Sequence, residues 1–372
     1  MCVEKEKTMQ KQRSEKPKTM RNIKSAQPRA MQKLYALTEK RSIDLSLSEN
    51  PLGCSPRVVS ALENTDPKLN SYPAANGGLL KQKLANKFLL DADNFFIANG
   101  SEAIINSLPQ VFGKDQDEVI IPALTFPMFA VSSRLAGKVV VNAKMTHDLG
   151  ISLDKMAKLV TKKTRMVFIC NPNNPTGSVL AIEEILQFIE NIPEKILVVV
   201  DEANVEFGGE SVIKDTAVRD NLIVLRSFSK GYGLAALRVG FAASSKGIIK
   251  KLEQETPLFP VSGLSEKLAS IALDDDQFLK TTKKFTAGQR NLLTSGLKKL
   301  GFRVFPSETN NLFVKAPEFI KSKPLAKKLK EKDISVIMGS SFESCDDSFF
   351  RASVRDEKTN LLFLERMEEV AG

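Results

Sequence analysis

Three polar residues follow apolar segments of the chain and could do chemistry together. Lys230 lies in the run L-R-S-F-S-K-G-Y-G, Asp201 ends the run I-L-V-V-V-D 29 residues earlier, and Asn174 stands 27 residues before that in N-P-N-N-P-T-G. A desolvated lysine amine is neutral and nucleophilic, so it can form a Schiff base with a carbonyl carbon. A half-buried carboxylate needs a cationic partner, and a protonated pyridine nitrogen is a good one. The ordered set therefore predicts a site for pyridoxal phosphate, with Asn174 in a polar loop beside the ring.

A second group of residues is suited to the phosphate of that cofactor. Gly100, Ser101 and Glu102 follow the apolar run D-N-F-F-I-A and stand at a predicted helix start. A helix start offers backbone N–H groups and the positive end of the helix dipole, both of which favour an anion. Ser227 and Arg238 flank the lysine segment, and we expect them to complete the phosphate site.

The net charge of +10 lies mostly in the first 40 residues. This segment carries 11 basic and 4 acidic residues, which accounts for +7. Basic tails can bind polyanions, but this one lacks aromatic stacking groups apart from Tyr35. We therefore predict a flexible or dimer-wrapping arm over residues 1–40 and do not expect nucleic acid as a partner. No stretch approaches the roughly 18 consecutive apolar residues of a membrane span, so no membrane partner is expected.

Cysteine and histidine usage excludes several kinds of site. The four cysteines are scattered without a C-x-x-C pair, and His147 is the one histidine. No metal site or disulfide framework is therefore expected, and Ser-His-Asp chemistry is disfavoured. The scattered cysteines and the lack of an apolar signal segment at the start predict a cytoplasmic location.

The order of apolar runs predicts the elements that must position these residues. Short β-branched runs alternate with helical stretches up to about residue 258, which indicates an α/β fold with a buried, mostly parallel sheet covered on both faces. Longer charged helices and fewer strands follow, which indicates a smaller α+β domain. We predict a basic arm over 1–40, the N-terminal part of the small domain over 41–65, a large cofactor-binding domain over 66–260 and a small C-terminal domain over 261–372.

Most of the chain also resembles a known family. From about Asp44 to Val354 it resembles fold-type I, class I/II aminotransferases, and within them the histidinol-phosphate aminotransferase group. The matching phrases, in family order, are S-E-N-P-L-G-C-S-P, N-S-Y-P, N-G-S-E, P-A-L-T-F-P-M-F, N-P-N-N-P-T-G, V-V-V-D-E-A, S-F-S-K-G-Y-G-L-A-A-L-R-V-G, F-P-S-E-T-N and F-R-A-S-V. The resemblance implies a seven-stranded, mostly parallel sheet and a homodimer with shared active sites.

The resemblance also implies roles for the cofactor-binding residues. Lys230 would form the Schiff base and, once released, move a proton between two carbons. Asp201 would pair with the pyridine nitrogen, and Asn174 would hydrogen-bond the ring O3′. Phe126 would stack on the ring, and Tyr72 would reach the cofactor phosphate of the neighbouring subunit.

The substrate side carries one implied anchor and two departures from the family. Arg351 would grip the carboxylate or phosphate of the substrate with its planar fork, and Asn50 and Asn310 would line the same pocket. Asn204 stands where the family usually has a tyrosine that donates to O3′. Ile337 stands about where the family tends to carry an arginine that helps bind the phosphate of histidinol phosphate.

The loss of that second guanidinium bears on the substrate. The loss of one guanidinium from a phosphate site lowers the binding free energy by about 2–3 kcal/mol. Arg355 is a candidate to replace it.

The implied activity is an aminotransferase that passes an amino group between an amino acid, glutamate being expected, and a keto or aldehyde acceptor. Histidinol phosphate is the first candidate substrate, which implies histidine biosynthesis. Two alternatives remain open at this point. One is a decarboxylase of the same fold, similar to threonine-phosphate decarboxylase. The other is a non-catalytic protein of this fold with a polyanion-binding arm.

Overall fold

The computed structural model describes residues 43–66, 70–320 and 322–371. These residues belong to one compact unit. The predicted basic arm over residues 1–40 lies outside the described residues, so its role stays a prediction.

A seven-stranded sheet forms the centre of the described chain. Its order is β2-β8-β7-β6-β5-β3-β4, and β8 alone runs antiparallel to its two neighbours. The predicted α/β class and mostly parallel sheet are confirmed. The strands are β1 (Ile43–Asp44), β2 (Phe95–Ala98), β3 (Glu118–Pro122), β4 (Val139–Ala143), β5 (Thr164–Cys170), β6 (Leu197–Asp201), β7 (Leu222–Ser227), β8 (Gly240–Ser244), β9 (Arg303–Val304), β10 (Asn311–Lys315), β11 (Ile334–Ser335), β12 (Ile337–Met338) and β13 (Phe349–Ser353).

Helices cover both faces of this sheet. Every residue of β6, β7 and β8 is buried, so side chains on both faces of these strands are removed from water. This burial explains why the strands read as continuous apolar runs instead of alternating ones. The helices are α1 (Pro56–Glu63), α2 (Gly78–Phe88), α3 (Gly100–Phe112), α4 (Met128–Leu135), α5 (Leu153–Ala157), α6 (Ile182–Asn191), α7 (Lys246–Glu255), α8 (Gly263–Leu273), α9 (Asp276–Lys299), α10 (Ser322–Glu331) and α11 (Glu357–Ala371).

A second, smaller core lies in the C-terminal part of the chain. The antiparallel sheet β12-β13-β10-β9 and the parallel pair of β1 with β11 contribute to it, together with apolar residues of α9, α10 and α11. Because β1 pairs with β11, the first described residues belong to this C-terminal part. Helix α8 packs instead into the core of the large sheet through Leu268 and Ala269. The domain boundaries at residues 65 and 260 stay predictions.

Within the described residues, none of the helices combines the length and the apolar character that crossing a membrane requires.

Candidate active site

The carboxyl ends of the central parallel strands bring the predicted chemical residues to one edge of the sheet. Cys170 at the end of β5 is in register with Asp201 at the end of β6, and Asp201 is in register with Leu225 of β7. The Asn174 loop continues from β5, and the Lys230 loop continues from β7. Open α/β sheets bind their ligands at this edge, because the loops that leave the strand ends surround a crevice there.

Lys230 is partly buried and its amine is held by a backbone carbonyl. Its Nζ donates a hydrogen bond to the Ser48 carbonyl oxygen at 2.8 Å. Burial and the positive charge of Arg351 lower the pKa of Lys230 to about 8, against the opposing effect of the Glu49 carboxylate. A substantial fraction of this amine is therefore neutral near pH 8. This environment suits the nucleophilic role that the sequence predicts for Lys230, and that role stays a prediction.

Asp201 is buried at the end of β6, where the residue is 3% exposed. The backbone N–H of Ala203 donates to Asp201 Oδ1 at 3.0 Å. Burial raises the pKa of Asp201 to about 6, although the Ala203 hydrogen bond opposes the shift. A buried carboxylate of this kind gains from a cation placed next to it, because its charged form is costly without one.

The start of α3 forms a cradle with Arg238. Gly100 has a φ of +76°, and a Cβ atom there would come within 2.8 Å of Arg238 Nη2. Arg238 Nη1 donates to Ser229 Oγ at 3.2 Å, and the N–H of Ser229 donates to Ser227 Oγ at 3.1 Å. Backbone N–H groups, a helix start and a guanidinium thus lie together, which is the arrangement that binds a phosphate.

The glycine at the start of β8 allows this close approach. A Cβ atom on Gly240 would lie 2.3 Å from the backbone nitrogen of Ser101, so the strand can pass the helix start only without a side chain. Ser101 and Glu102 both lie in the first turn of α3. Gly100, Ser101, Glu102, Ser227 and Arg238 therefore lie close together around this helix start.

Arg351 on β13 lies at the same edge. Its Nη1 donates to Asn174 Oδ1 at 2.8 Å, and its Nη2 donates to the Ser46 carbonyl oxygen at 2.5 Å. The Asn174 side chain accepts through its oxygen, which leaves its amide nitrogen as the group that can donate to a ring oxygen. Ile337 of β12 lies directly opposite Arg351 in the antiparallel pair. The position beside Arg351 on the neighbouring strand therefore contributes no charge.

These residues fit pyridoxal phosphate. The buried Asp201 suits a protonated ring nitrogen, the Gly100–Arg238 cradle suits a phosphate, and Lys230 offers an amine for a carbonyl carbon. When bound, the cofactor supplies an electron sink for negative charge that develops on a substrate carbon.

The family description "Aminotransferase class I and II" matches residues 40–367. The chain belongs to the class I and II aminotransferases. It is a pyridoxal-phosphate-dependent enzyme of that family, as the sequence predicts.

Similar proteins include enzymes with two different substrates in their names. The histidinol-phosphate aminotransferase of Methanococcus maripaludis is 33% identical over 342 residues, which cover 90% of this chain and 92% of that protein. An aromatic amino acid aminotransferase of Cutibacterium acnes is 33% identical over 279 residues, which cover 74% of this chain and 79% of that protein.

A solved structure supports the fold. The crystal structure of histidinol-phosphate aminotransferase from Sinorhizobium meliloti in complex with pyridoxal-5'-phosphate matches with a TM-score of 0.84 and 23% identity, covering 92% of this chain and 94% of that one. At this identity the match establishes the fold alone.

Three further residues that are predicted to bind the cofactor of the aminotransferase differ in their exposure to solvent. Phe126 is half-buried, with its ring 5.7 Å from that of Phe129 in an edge-to-face arrangement. Asn204 is buried in the turn that follows β6. Tyr72 is 86% exposed and stacks on Phe259 at 5.0 Å between ring centroids. The roles of all three in cofactor binding stay predictions.

One short segment connects several site residues, and we call Ser46–Asn50 the connecting segment. Asn50 Nδ2 donates to the Gly231 carbonyl oxygen at 2.8 Å, next to Lys230. Asn310 Nδ2 donates to the Glu49 carbonyl oxygen at 3.0 Å. Together with the carbonyl contacts of Ser46 and Ser48, these bonds hold the lysine loop and the C-terminal strands of the aminotransferase to one stretch of backbone.

Sequence reasoning did not identify Ser46, Ser48, Glu49 or Ser229 as site residues. The first two act through backbone carbonyls, which leave no trace in residue type. Glu49 stands in the matched phrase S-E-N-P-L-G beside Asn50, and Ser229 directly precedes Lys230. That adjacency was the available signal for both residues.

Proposed function

We propose that this aminotransferase moves an amino group between glutamate and a phosphorylated keto acceptor, with histidinol phosphate and imidazole acetol phosphate as the first candidate pair. The observation that carries the proposal is the convergence of Lys230, Asp201 and Arg351 at one sheet edge. Relatives that are named histidinol-phosphate aminotransferase and cover about nine-tenths of the chain support this choice of substrate.

Each site residue has a task in this reaction that follows from its environment. Lys230, with its pKa of about 8, is suited to take a proton from one carbon and return it to another near neutral pH. Asp201 keeps the ring nitrogen protonated. Arg351 grips an anionic group of the substrate, and its bond to Asn174 fixes the direction of the guanidinium.

The substrate and the cofactor phosphate would be held at separate places. The Gly100–Arg238 cradle lies at the start of α3, whereas Arg351 lies on β13 of the smaller sheet. Two anions can therefore be bound without competing for one guanidinium.

We also propose a homodimer in which Tyr72 reaches the neighbouring site. Its exposed ring stacks on Phe259, which is 40% exposed, and Leu258 beside it is 67% exposed. An apolar surface of this kind favours contact with another protein surface. Sedimentation of the wild-type protein and of a Tyr72→Phe variant, with the cofactor affinity of each, tests both parts of this proposal.

The visible spectrum of the protein loaded with pyridoxal phosphate tests the reaction. Addition of L-histidinol phosphate should convert the yellow cofactor to its pyridoxamine form, and addition of glutamate should do the same. Conversion by glutamate alone would contradict the histidinol phosphate assignment, and the aromatic amino acids would be tested next. Release of carbon dioxide from L-threonine O-3-phosphate, without conversion of the cofactor, would instead support the decarboxylase alternative.

A further inference from the structure

On β12, the strand that pairs with β13, the residue beside Arg351 is apolar. Ile337, directly opposite, is 4% exposed and belongs to a buried apolar cluster. The other buried members of this cluster are Leu124, Phe305, Phe313 and Phe342. A doubly charged phosphate ester bound at Arg351 would therefore need its second cation from another part of the chain.

Arg355 lies four residues beyond Arg351, just after the end of β13. Its Nη1 donates to Glu49 Oε2 at 2.9 Å. The backbone of Glu49 is fixed by the Asn310 side chain, and the preceding residue, Ser48, holds Lys230. The Arg355 guanidinium is thus held at the connecting segment, beside the residues that surround the reacting amine.

The pair of Arg355 with Glu49 is weak enough to exchange partners. The side chains are 29% and 49% exposed, and ion pairs with this access to water contribute only about 0–1 kcal/mol. A guanidinium binds a phosphate through two parallel hydrogen bonds, which are stronger than a single contact with a carboxylate oxygen. A phosphate that competes with the Glu49 carboxylate for the Arg355 guanidinium should therefore displace it.

We propose that Arg355 is the second substrate-binding guanidinium of this site and that Glu49 is its partner when no phosphorylated substrate is bound. The proposal rests on the proposed function, because it assumes that the amino substrate carries a phosphate. Glu49 then sets the selectivity: it competes with the substrate anion for Arg355, so a monoanionic group displaces it less readily than a phosphate dianion does.

Inhibition by inorganic phosphate tests the site without the candidate substrate. The holoenzyme is used, so that the cradle at α3 is already filled by the cofactor, and the half-reaction with glutamate is followed by the loss of yellow colour. Phosphate should inhibit the wild-type enzyme, and Arg355→Gln should weaken this inhibition about tenfold or more. Glu49→Gln should strengthen it about two- to fivefold, because the competing carboxylate is gone.

A matched control exists on α11. Arg366 pairs with Glu369 at 2.7 Å, with side chains 40% and 36% exposed. Arg366→Gln removes a comparable exposed pair within the helix that follows Arg355 and should leave phosphate inhibition unchanged. Arg355→Lys keeps the charge without the fork and should be intermediate. Equal inhibition of the Arg355→Gln and Arg366→Gln variants would overturn the proposal, as would weaker inhibition of Glu49→Gln.

The candidate substrate gives a second, separable result. In Arg355→Gln the ratio of kcat/KM for L-histidinol phosphate to kcat/KM for glutamate should fall about tenfold. Arg355-dependent inhibition by phosphate in an enzyme that does not convert histidinol phosphate would reject the proposed substrate and keep the anion site. Conversion of histidinol phosphate at a ratio that Arg355→Gln leaves unchanged would reject the anion site and keep the proposed function.

Discussion

Two groups of buried charges lie on either side of the strand ends of β6 and β7, and they are built differently. Arg226 is enclosed by Glu202 at 3.2 Å and Glu206 at 2.7 Å, with all three side chains at most 9% exposed. Burial disfavours the charge of Arg226, but Glu206 and Glu202 outweigh it and raise its pKa. Lys230 and Asp201 instead have pKa values of about 8 and 6, both moved toward the neutral form.

The contrast shows that adjacent residues at the ends of β6 and β7 have separate roles, one residue in the stability of the fold and the next in the candidate site. Asp201 ends β6 and Glu202 follows it, while Arg226 precedes Ser227 at the end of β7. Successive side chains of a strand point to opposite faces, so one face receives a compensated ion cluster and the other receives the site. Charges that compensate each other hold the strands together. Lys230 and Asp201 form no ion pair within the part of the chain that the structure describes, which leaves their charges for ligands.

Removal of the amine should have the largest effect. Lys230→Ala should lower the rate of the glutamate half-reaction by about 10³-fold or more, because both the nucleophile and the proton carrier are lost. Single-turnover spectroscopy of the cofactor-loaded variant measures this rate. Lys246→Ala, which removes an exposed lysine paired with Asp91, is the control. A Lys230→Ala variant with a tenth of the wild-type rate would contradict the assignment.

Removal of the central cation of the compensated cluster should act on stability. Arg226→Met leaves Glu202 and Glu206 buried without their cation, so it should cost about 3–5 kcal/mol of unfolding free energy. Urea denaturation of the apo-protein measures the loss. Arg219→Met, which breaks an outer pair with Glu190, should cost less than about 1 kcal/mol. Equal losses in the two variants would show that the cluster is not a special stabilising element.

Replacement of the buried carboxylate should separate activity from stability. Asp201→Asn should slow the half-reaction about 100-fold, because a neutral amide does not hold the ring nitrogen protonated. The folded-state pKa of Asp201 is raised to about 6, so its charged form opposes folding above that pH. The apo form of the Asp201→Asn variant should therefore have an unfolding free energy at pH 8 that is about 1–2 kcal/mol higher than that of the wild-type apo-protein.

Urea denaturation at pH 8 and at pH 5 checks the stability of Asp201→Asn, since the gain should shrink at the lower pH as Asp201 becomes protonated. A loss of stability at pH 8 would place Asp201 with the structural charges.

The smallest expected effect is a shift in a pH midpoint. Only the neutral amine of Lys230 attacks a carbonyl, so the rate of cofactor uptake by the apo-protein should rise with pH, with a midpoint near 8. Arg351→Gln removes a cation that lowers this pKa and should move the midpoint upward. Glu49→Gln removes an anion that raises it and should move the midpoint downward, each by less than about one pH unit. Stopped-flow uptake curves compare the variants, and identical midpoints would show that neither charge acts on the amine.

The ends of the apolar runs made the central part of the site predictable. The runs that form β5, β6 and β7 are largely buried and end in, or lead into, a polar residue or loop, so Asn174, Asp201 and Lys230 could be expected at one sheet edge from the sequence. The phosphate cradle was also predictable, because Gly100 stands at a strand–helix junction. These features depend on neighbours in the chain.

The Arg226 cluster and the contact of Arg355 with Glu49 were not predictable in the same way. Arg355 and Glu49 are 306 residues apart, and although the sequence offers Arg355 as a candidate guanidinium, no local pattern predicts that the two side chains meet. Their contact exists because the segment that follows β1 runs beside the end of β13, where the N–H of Ser353 donates to the Leu45 carbonyl oxygen at 2.9 Å.

The sequence by itself determined the α/β fold and the nature of the cofactor, and it predicted which lysine reacts, because strand periodicity and the residues at strand ends are local properties of the chain. Only the tertiary structure decided which contacts position those side chains and set their surroundings. The Ser48 carbonyl on Lys230, the Ser46 carbonyl on Arg351 and the apolar contact of Ile337 all join distant segments. Backbone carbonyls occur at every residue, so only packing selects the ones that hold the side chains of the candidate site.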